Sequence, residues 1–152
     1  MSENNMVSAV ADDSLSGRFL TYYIQDALYG IELCNVTEII SVQPITKVPG
    51  LPAYVRGVIN LRGKILPVVD ARLKLNKEAR EYDALTCIIL LTMDGLEVGL
   101  IVDRVDQVVT FEPDQLTKPQ KQSDRFLDSV ADFEGKTVLN LDYEKLLAEV
   151  SA

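Results

Sequence analysis

None of the 152 residues is histidine. The chain therefore has no imidazole to serve as a general base near neutral pH, and it lacks the commonest neutral metal ligand. Ser-His-Asp and Cys-His catalysis are excluded within the chain itself. Cys34 and Cys87 show no metal-ligand spacing, and no neighbouring cation or helix end lowers either thiol. Both read as reduced, buried apolar fillers. The segment Gly57–Lys64 (GVINLRGK) resembles a phosphate loop only in outline. It is one residue too long, it is followed by Ile65 rather than Ser or Thr, and it opens a strand rather than a helix. Asp70 and Asp142 each follow a strand and read as helix caps. Asp103 and Asp106 read as solvated turn acids. No metal, no cofactor and no enzymatic activity are expected. One group keeps a directed chemistry: Arg62, beside a turn glycine, presents a planar donor fork suited to carboxylates or carbonyls on a partner.

The stretch that positions Arg62 is Gly57–Asp70, two arms rich in β-branched residues around a turn at Arg62-Gly63-Lys64. Gly63 supplies the positive φ such a turn requires. Pro67 cannot donate to a ladder, so its strand is expected at an edge or at a bulge. A shift of 72 residues lays Ser129–Asp142 on this hairpin, matching Gly63 with Gly135, Lys64 with Lys136 and Asp70 with Asp142. A shift of 69 matches Gly30 with Gly99, Val36 with Val105 and Pro44 with Pro113. The shift changes once, in the polar loop 113–124, so two similar small β units stand in tandem. Where the copies differ in exposed chemistry, function is the better reading. Arg62 faces Glu134, Gly57 faces Ser129 and Asn60 faces Asp132. Val36, Ile39, Val105 and Val108 fall where the units would meet. Core is the simpler assignment for them, and an apolar groove for a partner helix is the alternative.

Taken in order, residues 1–17 are polar, acidic and aperiodic, as in a disordered tail. Strands are expected over 18–24 and 28–33, with Gly30 at a bulge or a close contact, and 36–42 is a third strand or a helical turn leading into one. A fixed proline-rich connection over 44–52 leads to the hairpin, and a charged joint follows over 74–83. Strands over 85–93, 96–102, 105–111, 126–133 and 136–141 repeat the order. A helix over 142–150 closes the chain, with Tyr143, Leu146, Leu147 and Val150 on one face. Short strands with regular Gly and Pro turns indicate small β-barrels.

Composition agrees with a globular chain: 47% of residues are apolar and 25% are charged. The net charge is −8. Glu3, Asp12 and Asp13 account for the acidity of a cation-free N-terminal stretch, which leaves about −5 for the rest. That sign disfavours nucleic acid and anionic lipid as ligands. No signal peptide and no membrane-spanning run is visible, so a cytoplasmic location without membrane insertion is expected.

The runs YGIELCNVTEII, ITKVPGLPAYVRGVINLRGKILPVVDAR and VGLIVDRVDQVV resemble the CheW family of chemotaxis coupling proteins, over about Arg18–Leu147. The resemblance implies a mainly β fold of two intertwined five-stranded SH3-like barrels, with units roughly over 18–80 and 81–150. It implies an adaptor that joins the cytoplasmic hairpin tip of chemoreceptors to the regulatory domain of the histidine kinase CheA, recruited to membrane-associated arrays and monomeric when isolated. The receptor face would include Val36, Glu38, Gly57, Arg62, Val105 and Val108. The kinase face would include Thr86, Cys87 and Gly99. A related adaptor of pilus or surface-motility signalling is the alternative. With no receiver-like segment in the sequence, a stand-alone coupler is expected rather than a fused one.

Overall fold

The computed structural model describes residues 16–93, 95–119 and 126–148. Most of the expected acidic tail, part of the polar loop and Val150 lie outside these residues. Gly17, assigned to the tail, belongs to the fold. Its carbonyl accepts the Phe111 amide at 2.8 Å, and its φ of +76° turns the chain into the first strand.

The strands are β1 (Arg18–Ile24), β2 (Ala27–Glu32), β3 (Val36–Ser41), β4 (Val55–Leu61) and β5 (Lys64–Asp70), then β6 (Cys87–Met93), β7 (Leu96–Val102), β8 (Arg104–Thr110), β9 (Leu127–Phe133) and β10 (Lys136–Leu141). Two short helices, α1 (Ala71–Lys74) and α2 (Tyr143–Leu147), follow the two hairpins. Asp70 caps α1 through the Arg72 and Leu73 amides, and Asp142 caps α2 through the Lys145 amide, as expected of both. A 3-10 turn over Leu33–Asn35 joins β2 to β3.

The strands form two five-stranded sheets, ordered β8-β1-β2-β10-β9 and β3-β6-β7-β5-β4. Exchanging each strand with its counterpart in the repeat converts the first order into the second. Each sheet therefore draws on both halves of the chain. Each also curls on itself, because Thr46, beyond β3, bridges to Val58 on β4, and Thr117, beyond β8, bridges to Val130 on β9. These bridges join the two outermost strands of each sheet, as in a small barrel.

Three apolar clusters follow from this curvature. Phe19, Tyr23, Leu28, Val109 and Val138 fill the first sheet, and Ile59, Leu66, Val68, Ile88 and Leu90 fill the second. Leu20, Tyr22, Ile24, Ile89, Leu91 and Leu100 join Leu146 and Leu147 between the sheets. Strands β1, β6 and β7 are buried on both faces, which explains apolar runs such as CIILLTM.

Pro67 requires a correction. Its strand β5 is internal, flanked by β4 and β7. Val58, opposite Pro67, spends both backbone groups on Thr46, so this is a non-hydrogen-bonded position of the β4–β5 ladder. Pairing with β7 begins only at Val68. The missing amide therefore falls where no ladder bond is needed.

Candidate functional site

The hairpin tip is a two-residue loop in which both residues take left-handed backbone, with φ +53° at Arg62 and +85° at Gly63. This is the mirror-image turn that matches the twist of paired strands. Asn60 Oδ1 accepts the Gly63 amide at 3.1 Å and braces the tip. From this base Arg62 donates to both oxygens of Glu38, Nη1 to Oε1 at 2.9 Å and Nη2 to Oε2 at 2.6 Å. The hydrogen bonds from Arg62 hold the Glu38 carboxyl below its usual range. The side chains stay accessible, 69% exposed for Arg62 and 37% for Glu38. Alongside, Lys64 lies 3.7 Å from Glu97, which accepts from Thr37 Oγ1 at 3.2 Å.

Two residues expected on one face are thus in direct contact, across the outermost strands β3 and β4. The repeat has no equivalent pair, because Glu134 stands for Arg62 and Gln107 for Glu38.

The four seam residues divide. Val36 and Val105 are half-buried and pack against the core between the sheets. Ile39 lies opposite Ile89 and Val108 opposite Leu20, both members of that core, yet Ile39 is 42% exposed and Val108 39%. Edge strands β3 and β8 thus each present an exposed apolar side chain, Ile39 and Val108, opposite a residue of the inter-sheet core.

Gly57 is buried, with φ +144°, and a Cβ there would collide with the Thr46 carbonyl oxygen. It makes room for the bridge that joins the outer strands. Thr86 is buried in a turn with Asp83, and Cys87 is half-buried, its Sγ 3.3 Å from the Leu85 carbonyl oxygen. Gly99 is buried inside β7, where a Cβ would stand 2.7 Å from Ile88 and 2.9 Å from Val68. Its backbone serves packing.

Two expectations are corrected. Cys34 is exposed in its 3-10 turn and fills no core, whereas Cys87 is half-buried and packs against the core between the sheets. Asp103 is not solvated: its side chain is 13% exposed and accepts Arg72 Nε at 2.8 Å, Arg72 Nη2 at 2.6 Å and the Gln25 amide at 2.7 Å. Burial raises its carboxyl, but the bonds from Arg72 and Gln25 outweigh burial and hold it below the usual range. Asp106 accepts Thr21 Oγ1 at 3.1 Å, in the bulge where β1 meets β8. Sequence reading also passed over an exposed cleft lined by Lys64, Ile65, Pro67 and Leu96, with Ile65 61% and Leu96 50% exposed. The signal lay in the repeat, where Thr137 and Ala27 replace Ile65 and Leu96.

A charged clamp at a rigid tip, exposed apolar side chains on two edge strands and an apolar cleft are features that suit docking. The chain belongs to the CheW-like domain family, whose model matches residues 18–151. It is 29% identical to the chemotaxis protein CheW of Klebsiella aerogenes over 147 residues, covering 93% of this chain and 88% of that one. It is 30% identical to the chemotaxis protein CheW of Bacillus subtilis, covering 89% of each. The crystal structure of the scaffolding protein TtCheW from Thermoanaerobacter tengcongensis superposes with a TM-score of 0.79 at 28% identity, covering 83% of this chain and 88% of that one.

Proposed function

We propose that this chain is a non-enzymatic adaptor that couples the cytoplasmic tips of chemoreceptors to the histidine kinase CheA. Membership of the family supports the chemotaxis role. The observation that carries the coupling reading is the asymmetry between the two repeats: the Arg62–Glu38 clamp exists in one copy only, next to exposed Ile39. A fold contact would recur in both copies. A docking contact need occur only where the partner sits. The receptor hairpin lies along the apolar side chains of Val36, Ile39, Val105 and Val108, with Arg62 fixing its register by charge-assisted bonds. The kinase regulatory domain engages the same sheet elsewhere, near Thr86 and Cys87, with the Ile65–Leu96 cleft as a second apolar contact.

The reading requires simultaneous occupancy. Titration of the chain with a receptor-tip fragment, with a kinase regulatory domain and with both together is expected to give two binary complexes and one ternary complex. Mutually exclusive binding, or binding of neither, would overturn it.

A further inference from the structure

We propose that two copies of this chain exchange halves to form a domain-swapped dimer, hinged at the turn Asp83–Thr86. Residues 16–82 supply the β1–β2 and β4–β5 hairpins and β3, and no sheet is completed within that half. The first sheet needs β8–β1 and β2–β10 pairing, and the second needs β3–β6 and β5–β7 pairing. All four of these ladders run between halves, so the half that completes each body can come from another copy with every strand pair retained. Only the connection between halves has to change.

That connection is tied to the first half as far as Tyr82, whose hydroxyl donates to Asp70 Oδ2 at 2.8 Å and accepts from Arg56 Nε at 3.2 Å. The reversal comes immediately afterwards. Asp83 Oδ1 accepts the Leu85 amide at 2.9 Å and the Thr86 hydroxyl at 3.2 Å, while the Asp83 amide donates to Thr86 Oγ1 at 2.9 Å. Opening this one short turn breaks only local bonds, and a short turn between exchangeable halves is where swapping is favoured. Resting on the proposed function, each body of the dimer carries every residue of the proposed receptor face, with Val36, Glu38, Gly57 and Arg62 from one chain and Val105 and Val108 from the other. The dimer is thus a bivalent form of the module.

Arg18 and Thr110 provide the test. They are directly opposite on β1 and β8, and the neighbouring Gly17–Phe111 pair holds the hydrogen bond, so this is the closer, non-hydrogen-bonded position. The variant Arg18→Cys/Thr110→Cys, in a Cys34→Ser/Cys87→Ser background, is refolded from denaturant and oxidised at ~1 µM and at ~1 mM, the latter near the effective concentration of a short flexible connection. The expected result is an internally bridged monomer at the low concentration and a disulfide-linked dimer at the high one. A dimer that separates on a non-reducing gel would overturn the proposal, as would monomer at both concentrations. Should the variant fail to fold, the unsubstituted chain is refolded in the same way and sized after dilution. A dimer that survives dilution and dissociates only on renewed unfolding supports exchange, and prompt return to monomer contradicts it.

Discussion

Arg62 is exposed, where solvent screens a charge pair and limits what it adds to stability. Its turn is held by Gly63, Asn60 and the hairpin arms, all independent of the guanidinium. Arg62→Ala is therefore expected to leave the melting temperature within a few degrees of the parent by calorimetry. Asp103 behaves differently, because it joins the β1–β2 turn, α1 and the start of β8 through nearly buried bonds. Asp103→Ala strands Arg72, which is 10% exposed, and is expected to cost about 2–3 kcal/mol by denaturant titration, somewhat below the ~3–5 kcal/mol of a fully buried pair. The carboxyl is held low in the fold, so its contribution is fully present above the ordinary aspartate pKa of about 3.9 and is lost as pH falls through the lower folded value. Asp103→Ala should flatten the acid limb of the stability profile, and an unchanged limb would remove Asp103 from this role. Arg62 was legible in the sequence because the repeat supplied a reference residue at its position. Its partner Glu38 was legible only through the family resemblance, since no local pattern joins residues 24 apart. Asp103 was misread because a solvated turn acid and a buried hub have the same local sequence.

Among the elements, β-branched alternation and Gly–Pro punctuation marked the strands, with β3 ambiguous, and the structure shows equivalent boundaries in the two copies, β4 with β9 and β1 with β6. What the pattern could not convey was pairing. Pro67 signalled an edge or a bulge, whereas the pairing of its strand with β7 simply begins one residue later, at Val68. Gly57 drew attention as a difference between copies, and its physical cause is the approach of the Thr46 carbonyl, a contact between segments far from local in origin. Gly57→Ala adds a Cβ against that carbonyl at φ +144° and is expected to destabilise by at least the ~1–3 kcal/mol of a strained backbone position. The equivalent Ser129→Ala removes only a hydroxyl that accepts from Asn140 Nδ2 at 3.2 Å and should cost less. Paired denaturant melts check the order. A Gly57→Ala variant as stable as Ser129→Ala would show that the bridge tolerates the added carbon.

For the whole molecule, the two repeats are legible as sequence, but their interlocking is not, because strand periodicity says nothing about which half a strand will pair with. All four ladders between the halves must form together, so the chain is expected to unfold in one main calorimetric transition. Two resolved transitions would mean that the sheets are separable. The same interlocking holds the clamp at a hairpin tip, the exposed side chains of β3 and β8 and the cleft by Ile65 in fixed relation, as the proposed adaptor role requires.

Whether Arg62 docks a receptor or merely closes its own sheet is decided by a charge swap. Titrations of the parent chain, Arg62→Glu, and the double variant Glu38→Arg/Arg62→Glu against a receptor-tip fragment separate the two roles. Arg62→Glu is expected to weaken binding by about tenfold or more, and the double variant, with its clamp rebuilt in reverse, to stay comparably weak. Recovery of parental affinity by the double variant would contradict a docking role, because the clamp would then act only within the fold.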